Sequence, residues 1–229
     1  MSRKHAPVIA RQMPVLVKPL LLGLAIAAAA CAQAQAQEPH PARADFRGTS
    51  APDEVRRMAD WVVASADNGS LSFAIIDKKA AEVFVFDPQG QRLGAAPALL
   101  GLGVGDDSAP GVGDKPLSAI RPQDRTTPAG RFVTSLGRQP GHPNFLWVDY
   151  KNAVALHRVV KGRPKDRRAE RLASSTPADN RITFGCINLP VDFYEQTVLP
   201  AFKGAKGVVY VLPESKTMQA FFPKYRDVG

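Results

Sequence analysis

The 229-residue sequence predicts a mainly β domain with a small helical component over residues 70–214. Three observations predict it. Short runs rich in β-branched and aromatic residues recur, as in LSFAIID (71–77), EVFVFD (82–87) and GVVYVL (207–212). Turn chemistry such as DPQG (87–90) separates such runs. Only two segments carry a helical pattern of any length, and a hydrophobic content of 45% is enough for one buried core.

Before that domain, Arg3, Lys4, Arg11 and Lys18 form a basic opening without an acidic residue, followed by the apolar run PLLLGLAIAAAA (19–30). Small residues after Cys31 suit cleavage behind Ala34 or Ala36, so residues 1–36 read as a secretory signal. A spanning anchor needs about 20 apolar residues, and this run is shorter. Lipidation of Cys31 is the other alternative, although AAA before it lacks the larger aliphatic residue such sites carry. The protein is therefore expected in the periplasm or cell envelope, with no stable membrane insertion once the signal is removed.

Residues 37–69 read as a linker, polar and proline-containing to about Ala51, and then a docking helix. In DEVRRMADWVVASA (53–66), Val55, Met58, Val62 and Val63 fall at helical spacing, with Asp53 as N-cap and Asn68-Gly69 as the stop. LSFAIID and EVFVFD then form a hairpin. Ala95 to Leu117 is glycine-rich and reads as loop, with no phosphate-loop spacing completed. Gly130–Leu136, Asn144–Asp149 and Ala153–His157 read as further strands. Arg158 to Leu172 holds seven basic residues against Asp166 and Glu170. Val191–Leu199 is a short helix candidate, Gly207–Leu212 a buried strand, and residues 215–229 a C-terminal tail. No internal repeat is present.

Once residues 1–36 are removed, 26 basic residues face 21 acidic ones, a net charge of +5. Outside the cytoplasm a moderate positive balance suits an anionic envelope polymer. No aromatics alternate with basic residues in the manner that stacks bases, which argues against nucleic acid. Without clustered His, Cys, Asp and Glu, neither a metal nor another cofactor is expected.

The chemistry centres on RITFGCINLP (181–190), where Cys186 is the one cysteine beyond residue 31. A free cysteine is often a small buried hydrophobe. As a nucleophile it needs a base, since the thiolate attacks and an imidazole shuttles its proton. Beyond the signal, the histidines are His40 in the linker, His142 in a turn, and His157 at the end of the strand AVALH. His157 is the candidate because a strand aims it. Gly185 allows a sharp turn that turns backbone N–H groups toward a developing oxyanion.

Three segments in this order, TTPAGRF (126–132), ALHR (155–158) and ITFGCIN (182–188), resemble the L,D-transpeptidase (YkuD-like) catalytic domain of peptidoglycan enzymes. The resemblance spans residues 71–214 and implies a twisted mixed β-sandwich. Carried over by position, it implies Cys186 as nucleophile, His157 as base and Gly185 as the oxyanion turn. Thr183 and Asn188 would be supporting residues, and the carbonyl of Arg158 would hold the imidazole tautomer. Phe184 stands where most members have a second histidine. The 29 residues from His157 to Cys186 exceed the usual interval, the basic segment being the insertion. Its Arg163, Arg167, Arg168 and Arg171, with Phe184, are candidate contacts for the carboxylates of peptidoglycan stem peptides, or else a solvated loop.

The resemblance further implies crosslinking of stem peptides through a cysteine thioester, by 3-3 or 1-3 links. An L,D-carboxypeptidase or endopeptidase using the same pair is the hydrolytic alternative. A binding module that has lost catalysis is the third reading. A papain-like protease is disfavoured because its cysteine precedes its histidine in the chain.

Overall fold

The computed structural model describes residues 42–138, 144–203 and 206–228. The expected signal, Cys31, His40 and His142 lie outside the described residues. Strands β1 (Phe73–Asp77), β2 (Glu82–Phe86), β3 (Arg92–Pro97), β5 (Gly130–Val133) and β11 (Val208–Val211) build one sheet in the order β3-β2-β1-β11-β5. The second sheet has the order β10-β8-β7-β6, from β6 (Ser135–Gly137), β7 (Phe145–Asp149), β8 (Val154–Arg158) and β10 (Ile187–Leu189). A two-stranded ladder joins β4 (Leu100–Gly101) to β9 (Arg181–Thr183). Each larger sheet is mixed, with β1 parallel to β11 and β10 parallel to β8. The expected mainly β class with few helices is the observed one.

Alternation along the central strands explains the layering. Ala74, Ile76, Val83, Val85, Val209 and Val211 pack with Leu146, Val148, Leu156, Ile187 and Leu189 of the second sheet in one core. Their neighbours Phe73, Ile75, Phe84, Phe86, Val208 and Tyr210 point the other way, against Val55, Met58 and Val62 of helix α1 (Asp53–Ser65). These strands are buried on both faces, which is why they read as continuous apolar runs rather than alternating ones.

Local expectations are corrected in several places. Asp53 is the first helical residue, not the N-cap; Pro52 stands at the cap in extended conformation. The helix ends earlier than Asn68-Gly69, because Ala66 adopts the left-handed conformation and its N–H closes onto Val62 and Val63. Residues before the helix pack rather than trail: Phe46 is buried edge-on against Phe86, and Asp45 bridges Gln91. The C-terminal segment likewise packs, since α5 (Met218–Phe221) brings Phe222 into the second core.

Within the glycine-rich stretch, Ala95–Pro97 completes β3, and Leu100–Gly101 forms β4. The apolar run Gly130–Leu136 is two strands. The chain breaks at buried Thr134, whose hydroxyl donates to Gly207 O at 3.2 Å, so β5 pairs with β11 while β6 pairs with β7. The basic segment contains helix α2 (Arg168–Ala173). After β10, α3 (Val191–Phe193), a π-helical turn (Tyr194–Val198) and α4 (Leu199–Ala201) follow one another without a gap. Among the described residues no helix is long and apolar enough to cross a membrane.

Candidate active site

The parallel pairing of β8 with β10 sets Asn188 opposite His157 and Ile187 opposite Leu156. Side chains alternate along a strand. With Leu156 and Ile187 turned into the core, His157 and Asn188 take the opposite face, and Cys186 stands just ahead of β10 with its Sγ against the backbone of Ala153 and Ala155. The backbone of Asn188 is pinned from its other side by Leu99, N to O at 2.8 and 2.9 Å in the two directions.

The turn that delivers the thiol depends on glycine. Gly185 has φ +129°, and a Cβ there would lie 2.7 Å from the Thr126 carbonyl oxygen. Thr183, 3% exposed, clasps the turn: its hydroxyl donates to Cys186 O at 2.6 Å and accepts from Gly185 N at 3.1 Å. In this arrangement the Gly185 N–H, one of the two amides expected at an oxyanion site, is therefore occupied by the Thr183 hydroxyl. Thr127 anchors the turn from outside, donating to Gly185 O at 2.9 Å while accepting from Gly101 N at 2.9 Å.

The imidazole is held at both nitrogens. His157 Nδ1–H donates to Arg158 O at 2.7 Å, which leaves Nε2 as the acceptor, and Asn188 Nδ2 donates to it at 3.1 Å. Asn188 Oδ1 in turn accepts from Arg168 Nη1 at 2.7 Å. Among the described residues, the partners of Cys186 Sγ are backbone groups: it accepts from Ala155 N at 3.5 Å and donates toward Ala153 O at 3.7 Å.

Burial pushes the Cys186 thiol up from its ordinary range, against the pull of the Ala155 N–H and the Arg168 charge. Burial also pushes His157 down, aided by Arg168 and opposed by the bond to Arg158. Near pH 7 the pair is therefore a thiol and a neutral imidazole, not an ion pair.

The structure thus brings Cys186, His157, Gly185, Thr183, Asn188 and Arg158 together. The Arg158 guanidinium turns outward to Glu195 at 2.7 Å. Of the side-chain charges in the basic segment, the one that reaches this constellation is that of Arg168. Arg163 pairs with Asp166 at 3.3 Å, Arg167 pairs with Glu170, and Arg171 donates to Asp166 O and Asp179 O at 2.9 and 2.6 Å. Arg163, Arg167 and Arg168 line a surface groove of about 410 Å³ with Lys161, Val160 and Val191. Phe184 lies under the Arg125 guanidinium, 4.2 Å from its ring centre.

Thr127 and Arg125 are the residues that sequence reasoning missed. The signal for Thr127 was present in TTPAGRF, but nothing in a linear sequence says that its hydroxyl crosses to a turn 58 residues away.

No family model and no curated protein matches the chain. Among solved structures, it is similar to the helical cell shape determining protein Pgp2 from Campylobacter jejuni, at 17% identity and a TM-score of 0.43, covering 64% of this chain and 49% of that one. It is also similar to an L,D-transpeptidase from Mycobacterium smegmatis, at 18% identity and a TM-score of 0.35, covering 62% and 58%. A third similarity is to the LD transpeptidase LdtMt1 in complex with imipenem, at 17% identity, a TM-score of 0.34 and the same two coverages. The chain spans between about half and three-fifths of the length of these proteins.

Proposed function

We propose that this chain is a peptidoglycan L,D-transpeptidase of the YkuD-like class, exported to the periplasm and using Cys186 as nucleophile and His157 as base. The observation that carries this reading is the shared face of β8 and β10. It puts His157 opposite Asn188, two residues after Cys186 on its glycine turn, and the imidazole's Nε2 is unprotonated because Nδ1–H is committed to Arg158 O.

In the proposed reaction His157 Nε2 exchanges the Asn188 N–H for the Cys186 proton. The sulfur then attacks the carbonyl carbon of the third stem residue in a tetrapeptide. A C–S bond forms, and the carbonyl electron pair moves to oxygen. Cys186 N–H stabilises that oxyanion, joined by Gly185 N–H if it turns away from the Thr183 hydroxyl. Collapse breaks the C–N bond, and the imidazolium gives its proton to the departing D-alanine amine. An acceptor amine then attacks the thioester, passes a proton to His157, and the thiol leaves with that proton restored. The acyl group moves from amide to amide without an external energy source, giving a 3-3 or a 1-3 link according to the acceptor. With Phe184 where most members have a second histidine, His157 handles both proton transfers.

The test uses the purified protein and Cys186→Ala, each with tetrapeptide-rich peptidoglycan, followed by mass spectrometry. A crosslinked product one D-alanine lighter than its parents, formed only with Cys186, is the expected result. Tripeptide alone would replace this reading by an L,D-carboxypeptidase. No change with either protein would replace it by a binding module.

A further inference from the structure

Arg168 opens α2, within the basic segment, yet its side chain is only 16% exposed and its Nη1 donates to Asn188 Oδ1. Asn188 is 1% exposed. Its amide has two ends of nearly equal size and opposite polarity, so space alone does not orient it. A guanidinium can only donate. With Oδ1 committed to Arg168, Nδ2 is the end that faces His157, and an N–H facing Nε2 requires a lone pair there. The proton of the neutral ring is then on Nδ1, where Arg158 O accepts it. Each bond dictates the polarity of the next.

We propose that Arg168 is a positioning residue that acts through Asn188 to hold His157 neutral, with its lone pair at Nε2. The inserted basic segment is thereby part of the active site. The proposal rests on His157 being the base, but its test does not require turnover.

Among the described residues, Arg168 from α2 and Asn188 from β10 face the ring, with Cys186 two residues before Asn188 in the chain. Strand β8 itself supplies Arg158, whose charge is directed to Glu195 of the π-helical turn. On β7, Leu146 and Trp147 pair with Leu156 and Ala155 and bring no charge, and Asp149, opposite Val154, is bonded to Asn152. Asp166 approaches Arg168 Nε at 3.8 Å and tempers its charge without hydrogen bonding, so that Nε is buried and unpartnered. Such a group is costly.

The arrangement opposes an imidazolium twice, by a nearby cation and by an N–H aimed at the atom that would carry the new proton. The conjugate acid is accordingly a stronger proton donor, which favours release to the leaving amine. Without Arg168 the amide is free to turn and offer Oδ1, an acceptor that stabilises the protonated ring.

The experiment is a ring-proton NMR titration of His157 in the full chain, with the resonance assigned by its loss in His157→Gln. In Arg168→Met the His157 titration is expected to move up by about one pH unit. Arg168→Lys, which keeps a donor and a charge, is expected to titrate like the unmodified protein. A folded Arg168→Met, shown by a cooperative melt, that titrates at the unmodified pH overturns the proposal. Should Arg168→Met not fold, Arg168→Gln decides, since its uncharged amide can accept as well as donate: an upward shift supports the relay and an unchanged titration overturns it. A purely structural Arg168 would lower the melting temperature without moving the titration. Failure of acyl transfer in the unmodified protein would leave all of these readings intact.

Discussion

Two buried polar networks in this molecule use the same materials and reach different ends. In the first, Lys78 is fully buried and all three of its N–H groups are engaged: Asp106 Oδ1 at 2.7 Å, Gly105 O at 2.6 Å and Thr127 O at 3.0 Å. Asp106 also accepts from the backbone of Glu214, Ser215 and Lys216 and from the Ser215 hydroxyl. In the second, at Cys186, the thiol's partners among the described residues are two long contacts, and Arg168 Nε has no hydrogen bond among them. A saturated network has one arrangement. The sparse one holds bonds that can be exchanged, as the proposed proton transfer requires. They meet at Thr127, whose carbonyl caps Lys78 while its hydroxyl braces Gly185. The rigid network thus supports the adaptable one.

The largest effect expected is on activity. Cys186→Ala removes all product formation in the mass-spectrometric assay and leaves the melting temperature unchanged, because the thiol's contacts are too long to contribute much. The rigid network answers in the opposite sense. Lys78→Met leaves Asp106 buried without its cation, and chemical denaturation should show a loss of about 3–5 kcal/mol. Replacing Lys78 and Asp106 together by apolar residues should recover part of it, whereas a loss no smaller in the double variant would mean that the cost is steric rather than electrostatic.

Gly185→Ala joins the two. Its Cβ meets the Thr126 carbonyl at a φ that disfavours side chains, so stability should fall by about 1–3 kcal/mol, with turnover falling further than the loss of folded protein explains.

Acid separates the networks as well. The acid limb of turnover should lie below the ordinary imidazole value of about 6.5, because burial and Arg168 keep His157 neutral. Burial alone would raise Asp106, but Lys78, Ser215 and the backbone amides of Glu214 and Ser215 hold its carboxyl well below the usual range. A depressed carboxylate contributes stability that is present above its unfolded value, about 3.9, and is lost as pH falls from there toward the folded one. Melting temperature measured from pH 7 downward should therefore show the Asp106 contribution fading only below about pH 4, with that part of the decline absent from Asp106→Asn.

The smallest effects belong to the surface. Arg167→Ala removes an exposed ion pair and should leave the melting temperature unchanged in calorimetry, whereas Arg163→Ala, which takes an exposed guanidinium from buried Asp166, should lower it slightly. A higher KM with unchanged kcat in either variant would place a substrate carboxylate in the neighbouring groove.

Much of the frame could be read from residues alone. β1, β2 and β11 were legible because burial on both faces leaves unbroken apolar runs that no loop would carry. Cys186, Gly185 and His157 were legible as candidates because a free thiol after a glycine and a histidine closing an apolar strand are rare enough to notice. Tertiary structure decided the rest. The run 130–136 looks like one strand, and only the competition of two sheets for its halves breaks it at Thr134. β4 hides in a glycine-rich stretch because its partner β9 lies some 80 residues away. Seven basic residues between Arg158 and Leu172 are alike in composition, yet only Arg168 faces inward to Asn188. Periodicity and residue type record what a segment buries. Which distant group a polar side chain meets depends on how the chain is folded back, and no local pattern encodes that.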